Sequence, residues 1–222
     1  MPVRRAVRPP ARTARAPEAT REKLLAAAFE EIHRHGYQAA SLDSILSSTG
    51  LTKGALYHHF ADKAALGYAV VDEVVHGLTL RRWTGPLEDR SLDGVTAIQR
   101  TLRTVSTESA ERPELVELGC PLNNLTQEMS PLDEKFRGRL SRTFDLWTGA
   151  FADALQRGRD DGSVRADVDP RRTADFIVSS IEGSFGLAKS AKSLRVLLSN
   201  LDLLIDYLEG LRARGPSPAS LP

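Results

Sequence analysis

The stretch from Ser41 to Lys63, SLDSILSSTGLTKGALYHHFADK, constrains the fold of this chain more than any other. It predicts two short helices joined by a tight turn. Ser41 is placed to cap the first, and Leu42, Ile45 and Leu46 give that helix an apolar face. Thr49-Gly50 breaks it, because glycine accepts backbone angles that other residues resist. Thr52 is an N-cap type, and Leu51 before it lies at staple spacing to Leu56. Helix, glycine-containing turn and short helix make a helix-turn-helix, whose second helix enters the major groove of DNA. A helical hairpin that merely packs would have the same spacing. Spacing alone does not choose between the two, but the composition of the second helix does.

That helix reads Thr52-Lys53-Gly54-Ala55-Leu56-Tyr57-His58-His59-Phe60, followed by Asp62-Lys63-Ala64-Ala65-Leu66. The wording resembles the TetR/AcrR family of bacterial transcriptional regulators, to which the aromatic-x-His-aromatic-x-x-Lys run is quite specific. Ala27-Ala28-Phe29, Gly36-Tyr37 and Ser41-Leu42 stand where that family's first helix and turn would put them. The strong resemblance covers roughly residues 20–71; beyond it the helical pattern and a few short phrases agree. It implies an all-α protein: an N-terminal three-helix helix-turn-helix DNA-binding domain and a C-terminal helical domain for ligand binding and dimerisation. Four segments are expected: a disordered basic arm at 1–17, the DNA-binding domain at 18–63, the ligand-binding and dimerisation domain at 64–213, and a disordered tail at 214–222.

Charge is distributed in keeping with this. The chain as a whole carries +1. Through Lys63 there are ten basic residues against six acids, and twenty against twenty-three in the rest. A basic head on a slightly acidic body suits DNA held at one end. Residues 1–17 are rich in Arg, Pro and Ala, with little to bury. They are open to two readings, an arm along phosphates or the minor groove and a solvated tail without a role. We read an arm, since the segment has no acid and immediately precedes the DNA-binding unit. A single cysteine excludes an internal disulfide and argues against a thiolate metal cluster. No apolar run approaches the ~20 residues of a membrane helix, and no signal-peptide pattern follows the basic start. A cytoplasmic protein with no membrane partner is expected.

The chemistry of the second helix can be apportioned by position. Thr52 stands at a helix N-terminus, where a phosphate is favoured. Lys53 and Gly54 can approach base edges, lysine offering donors to guanine O6 and N7 and glycine letting the backbone come close. Ala55 suits a thymine methyl, Tyr57 a phosphate, and His58 the groove. The resemblance implies further phosphate contacts from His59, Lys63 and Ser41. Leu56 and Phe60 should be core. Phosphate contacts would position the module, while Lys53, Gly54, Ala55 and His58 would specify sequence. His33 and His35, two apart, do not share a helix face and read as surface residues rather than metal ligands.

The remaining pattern is helical. Leu25, Phe29 and Ile32 mark a first helix from Glu18 to His35, ended by Gly36. Asp62 should cap a helix reaching about Arg82. Ser91 precedes Leu92, Val95, Ile98, Leu102 and Val105. Ser130-Pro131 should open a long amphipathic helix carrying Leu132, Phe136, Leu140, Phe144, Trp147, Phe151 and Leu155. Asp169-Pro170 starts another with Phe176, Ile177, Ile181 and Phe185, and a last one runs from Leu194 to Leu208. These last two resemble the family's dimer interface. Small residues at Ser179, Ser180, Gly183, Ser184 and Gly186, with apolar area from Leu201, Leu204, Ile205 and Leu208, imply a homodimer reading a palindromic double-stranded DNA operator.

The resemblance also implies an enclosed small-molecule effector among Cys120, Asn123, Asn124, Phe144, Trp147, Phe151, Phe176, Glu182 and Phe185, although most of these aromatics suit plain core. Cys120 lies in a phrase, Gly119 to Leu125, like that of a subgroup with a cysteine near the pocket. It is either a small buried residue or a thiol sensor of oxidants and electrophiles. The buried reading is preferred, no nearby cation being evident to activate the thiol. No glycine-rich phosphate loop, metal-ligand spacing or Ser-His-Asp wording is present, so neither an enzyme nor a cofactor is expected. The expected function is a transcriptional regulator, a repressor released from its operator by a ligand. The alternatives are a thiol-based redox repressor using Cys120 and a helical small-molecule binder without a DNA role.

Overall fold

A computed structural model describes residues 15–213 of the chain. The expectations for residues 1–14 and 214–222 fall outside those described. The chain divides after Val70 into two compact units.

The first unit holds α1 (Arg15–His35), α2 (Leu42–Thr49), α3 (Lys53–His59) and α4 (Lys63–Ala69). Its helix ends are set by local chemistry. Gly36 takes φ 83° and its amide returns to the Ile32 carbonyl at 2.8 Å, closing α1. Gly50 closes α2 in the same way at φ 67°. Ser41, Thr52 and Asp62 each accept the backbone N–H three residues on, from Ser44, Ala55 and Ala65, and so start α2, α3 and α4. Leu24, Leu25, Ala28 and Ile32 of α1 pack with Ile45 and Leu46 of α2, Leu56 and Phe60 around α3, and Leu66 of α4, all buried. Each such leucine contributes roughly 2–3 kcal/mol by leaving water. Thr49 is buried too; its hydroxyl contacts the Ile45 and Leu46 carbonyls and accepts the Leu51 amide, tying the turn together. Helix α1 begins at Arg15, three residues before the expected Glu18, because Pro17 is tolerated in a first turn.

The second unit is also helical. Beyond α4 the chain takes π-helical turns at Val70–Val75, a short α5 (His76–Thr79), further π-helical turns at Leu80–Thr84, and a 3-10 turn at Gly85–Glu88. One regular helix to Arg82 was expected. Four valines crowd the first π segment, and the Thr79 and Thr84 hydroxyls donate to the carbonyls of Val75 and Leu80, loosening the ladder there.

Then come α6 (Gly94–Glu111), a 3-10 turn at Pro113–Leu115, α7 (Pro121–Met129), α8 (Glu134–Asp160), α9 (Pro170–Ala191) and α10 (Leu194–Glu209). Two starts differ from expectation. Asp93, not Ser91, caps α6 by accepting the Thr96 amide; Ser91 bonds Asp89 instead. Asp133, not Ser130, caps α8 through the amides of Lys135 and Phe136, and Ser130 closes α7. In both places the carboxylate stands nearer the apolar run and suits the positive helix end.

Helix α8 packs on α9 and α6, and α10 on α9 and α6. Trp147, Phe136, Phe151, Leu140 and Leu155 of α8 are sealed from solvent with Ile177 and Ile181 of α9 and Leu197 and Leu201 of α10. Gly94 lets α6 approach α8 so closely that a β-carbon there would lie 2.0 Å from the Ala154 carbonyl oxygen. Among the described residues there is no strand, only an isolated antiparallel bridge between Val164 and Arg212. No described helix is long and apolar enough to cross a membrane.

Candidate nucleic-acid interface and effector site

Helix α3 sorts its residues sharply. Leu56 and Phe60 are buried, so the opposite side must face out. There stand Lys53, Gly54, Tyr57 and His58, all exposed, with Ala55 and His59 at the margins. Tyr57 is 52% exposed, unusual for a large ring the fold could have covered. A β-carbon at Gly54 would meet only the Thr52 hydroxyl, at 3.7 Å. Packing within the chain therefore does not require glycine, although glycine weakens the helix by about 0.5–1 kcal/mol relative to alanine. Thr52 spends an acceptor on the Ala55 amide and keeps its hydroxyl hydrogen to donate.

Two contacts on this unit were not anticipated. The Lys53 ammonium lies 3.0 Å from Asp43 Oδ1 of α2, and that hydrogen bond holds the lysine's pKa above its ordinary value. At the start of α2, Glu31 of α1 accepts the Ser41 amide at 3.1 Å and the Ser44 hydroxyl at 2.8 Å. The Ser44 bond, with the Ser41 amide next, keeps the Glu31 carboxyl below its ordinary range. Lys63 donates to the Gln38 carbonyl at 3.0 Å, with its ammonium 5.0 Å above the centre of the Tyr37 ring. His58 and His59 meet edge to face at 5.1 Å. Asp43 and Glu31 could not be singled out in the sequence, where they are ordinary acids of amphipathic helices.

In the second unit the nine effector candidates separate into groups. Trp147 is stacked on Trp83 at 4.6 Å, parallel to Phe144 at 6.2 Å and edge-on to Phe151 at 6.3 Å. Trp83 had no periodic signal to mark it. Asn124 donates to the Leu118 carbonyl and accepts from Lys189, while Asn123 accepts from Gln127. Phe185 is buried. Phe176 is exposed and meets Tyr207 of α10 edge-on at 5.1 Å, away from the interior.

Glu182 is the exception to ordinary packing. It is 7% exposed, and neither carboxyl oxygen has a nitrogen or oxygen partner, the weak donor of the Cys120 thiol being its polar neighbour. Burial pushes its pKa up to about 7. The neighbouring Cys120 thiol is pushed well up, first by burial and then by the Glu182 charge. A thiol held neutral is a poor nucleophile, which weighs against its use as a sensor. The Trp147 indole nitrogen is likewise buried without a partner. No cluster of three or more His, Cys, Asp or Glu suited to a metal occurs among the described residues.

Comparison with known proteins places this arrangement. A family model described as "Bacterial regulatory proteins, tetR family" matches residues 24–70, and one described as "Tetracyclin repressor-like, C-terminal domain" matches residues 94–197. The chain is 30% identical over 188 residues to the HTH-type transcriptional repressor DhaR of Mycobacterium sp. (strain GP1), covering 85% of this chain and 91% of that protein. It belongs to the TetR family. TetR-family proteins are DNA-binding transcriptional regulators rather than enzymes, and this chain is one. The transcriptional regulator AcuR of Cereibacter sphaeroides is also 30% identical, over 78% of this chain and 79% of its own length. A TetR-family regulator from Chloroflexus aurantiacus superposes with TM-score 0.80 at 29% identity, over 90% of this chain and all of that one. The reduced form of E. coli NemR, at 22% identity and TM-score 0.78, shares the fold. TetR-family regulators bind DNA operators and small-molecule effectors and act as dimers.

Proposed function

We propose that this chain is a repressor that binds a palindromic operator as a homodimer and leaves it when a small molecule occupies the second unit. The observation that carries the DNA reading is the exposed row Lys53, Gly54, Tyr57 and His58 over buried Leu56 and Phe60. In this reading Lys53, Gly54, Ala55 and His58 meet base edges, and Ser41, Thr52, Tyr57, His59 and Lys63 hold phosphates. The DNA-reading segment is 18–63 and the ligand and dimer segment 64–213. Repression is favoured because the relative DhaR is a transcriptional repressor.

Dimerisation is supported by an uncovered stripe on α9 and α10. Phe176, Ser179, Gly183, Gly186 and Leu187 share an exposed side of α9, and Leu203 and Tyr207 an exposed side of α10. Leu201, Leu204, Ile205 and Leu208, expected at the interface, are buried within their own chain. The apolar surface of α10 is wide, running from the buried Leu197, Leu201, Leu204, Ile205 and Leu208 round to the exposed Leu203 and Tyr207, so the residues facing outward are one step away from those that form the core.

The effector is assigned to the surroundings of Cys120, Glu182 and Trp147, where polar atoms are buried without nitrogen or oxygen partners. Selection of bound sequences from a random duplex pool tests the whole reading, and an inverted repeat is expected. On the selected site, Tyr57→Phe should weaken binding to all sequences alike, while Lys53→Ala should change which sequences are preferred. Equal behaviour of both variants and wild type would reject the assignment.

A further inference from the structure

We propose that Asp43 is a specificity-determining residue of the DNA-reading face, acting by holding the Lys53 ammonium towards base edges and away from phosphates. This rests on the reading that Lys53 meets bases. Asp43 lies in the first turn of α2 and Lys53 in the first turn of α3, and their charged atoms are 3.0 Å apart. Both side chains are mostly exposed, 68% for the lysine and 75% for the aspartate. The fold's interior therefore does not need the pair, and its position beside Gly54 and Tyr57 needs another account.

The chemistry supplies one. A lysine ammonium has three donors and a flexible stem, and it binds a phosphate as readily as a guanine. An unrestrained lysine here would add affinity for every duplex and information about none. A carboxylate beside it uses one donor and leaves two, enough to span guanine O6 and N7. It also repels the phosphates that the lysine would otherwise capture. On random DNA, Lys53 reaches a phosphate either by leaving Asp43 or by bringing that carboxylate against the phosphate, and both are unfavourable. On the operator it can keep Asp43 and meet the base, so the penalty falls mainly on the wrong sequences.

The test uses the full chain and two duplexes, the selected operator and a scrambled duplex of equal length, across a salt series. Asp43→Asn should tighten binding to the scrambled duplex several-fold. Its salt slope should steepen by about one, as one more cation becomes available to phosphate. Operator binding should change less, so discrimination falls, and the loss should concentrate at one base pair. Asp43→Glu, which keeps the charge, should retain most of the discrimination. In the Lys53→Ala background Asp43→Asn should no longer alter base preference. Thermal unfolding of each variant checks that α2 is intact. Unchanged discrimination in Asp43→Asn, with Lys53→Ala still shifting base preference, would overturn this proposal alone. An undiminished Asp43→Asn effect in the Lys53→Ala background would also overturn it. If Lys53→Ala left base preference untouched, the underlying reading of Lys53 would fail first.

Discussion

Replacing Glu182 by glutamine should stabilise the protein above neutral pH and leave it unchanged in acid. The carboxyl is enclosed and is met only by the weak donor of the Cys120 thiol, so ionising it in place is unfavourable. Its pKa rises from an ordinary 4.5 to about 7. At about 1.4 kcal/mol for each tenfold change in proton affinity, that difference is worth ~3 kcal/mol. The sign follows from proton binding. Below pH 4.5 both folded and unfolded chains hold the proton, and this group adds nothing. Between 4.5 and about 7 only the unfolded chain ionises, so stability falls as pH rises. Above that window the full cost is present. Glutamine has no such titration, so the variant's advantage should grow from near zero at about pH 4.5 to ~3 kcal/mol at about pH 8. Urea unfolding followed by far-ultraviolet circular dichroism, at fixed protein concentration across this range, measures it. Parallel stability curves for wild type and Glu182→Gln would refute the account, because they would mean that the folded carboxyl ionises as freely as the unfolded one.

Gly54→Ala should keep or raise thermal stability, by up to about 1 kcal/mol from helix propensity, while reducing operator affinity; a fall in stability without a change in binding would mean the glycine is structural. Gly94→Ala should cost about 3 kcal/mol or prevent folding, since its β-carbon would meet the Ala154 backbone at 2.0 Å, where no side chain can turn aside. Leu203→Glu, at a side chain 64% exposed, should leave helicity intact and shift the protein towards monomer in light scattering. An unchanged mass would place the dimer contact elsewhere.

Much of the first unit was legible because its signals are local. Ser41, Thr52 and Asp62 accept amides three residues on and the Gly50 amide donates to the Leu46 carbonyl, so the sequence carries both donor and acceptor in one short window. Leu56 and Phe60 could be separated from Tyr57 and His58 by helical period alone. At two helix starts the cap lies further along than the expected serine, at Asp93 past Ser91 and at Asp133 past Ser130, because a chain position alone does not show which of two neighbouring polar side chains turns back to the amides. The π-helical turns left no trace, since they use the same residues as an α-helix. Pairings across the fold were out of reach for a different reason. Asp43 meets Lys53, Glu31 meets Ser44, and Cys120 stands beside Glu182 only because helices distant in sequence pack together. The direction of α10's leucines was hidden by their abundance: its polar side, Arg195, Ser199, Asp202, Asp206 and Glu209, is flanked by apolar residues on both edges, and Leu203 and Tyr207 lie on the uncovered one.

What separates residues that serve the fold from those that serve a partner is whether the chain's own packing accounts for them. Gly50 is explained by its positive φ and Gly94 by the Ala154 backbone; Gly54 is explained by neither. Leu201 and Leu204 close an internal core, whereas Leu203 of the same helix is largely exposed and Tyr207 meets Phe176, itself exposed. Most polar groups of the second unit are exposed or bonded, yet the Glu182 carboxyl and the Trp147 indole nitrogen are sealed in without nitrogen or oxygen partners. Each of these carries a free-energy cost that no contact within the chain offsets. Those costs fall on the outward side of α3, on the outward stripe of α9 and α10, and in the interior of the second unit at Glu182 and Trp147. A regulator needs DNA, a second copy and an effector, and each of those unexplained places suits one of them.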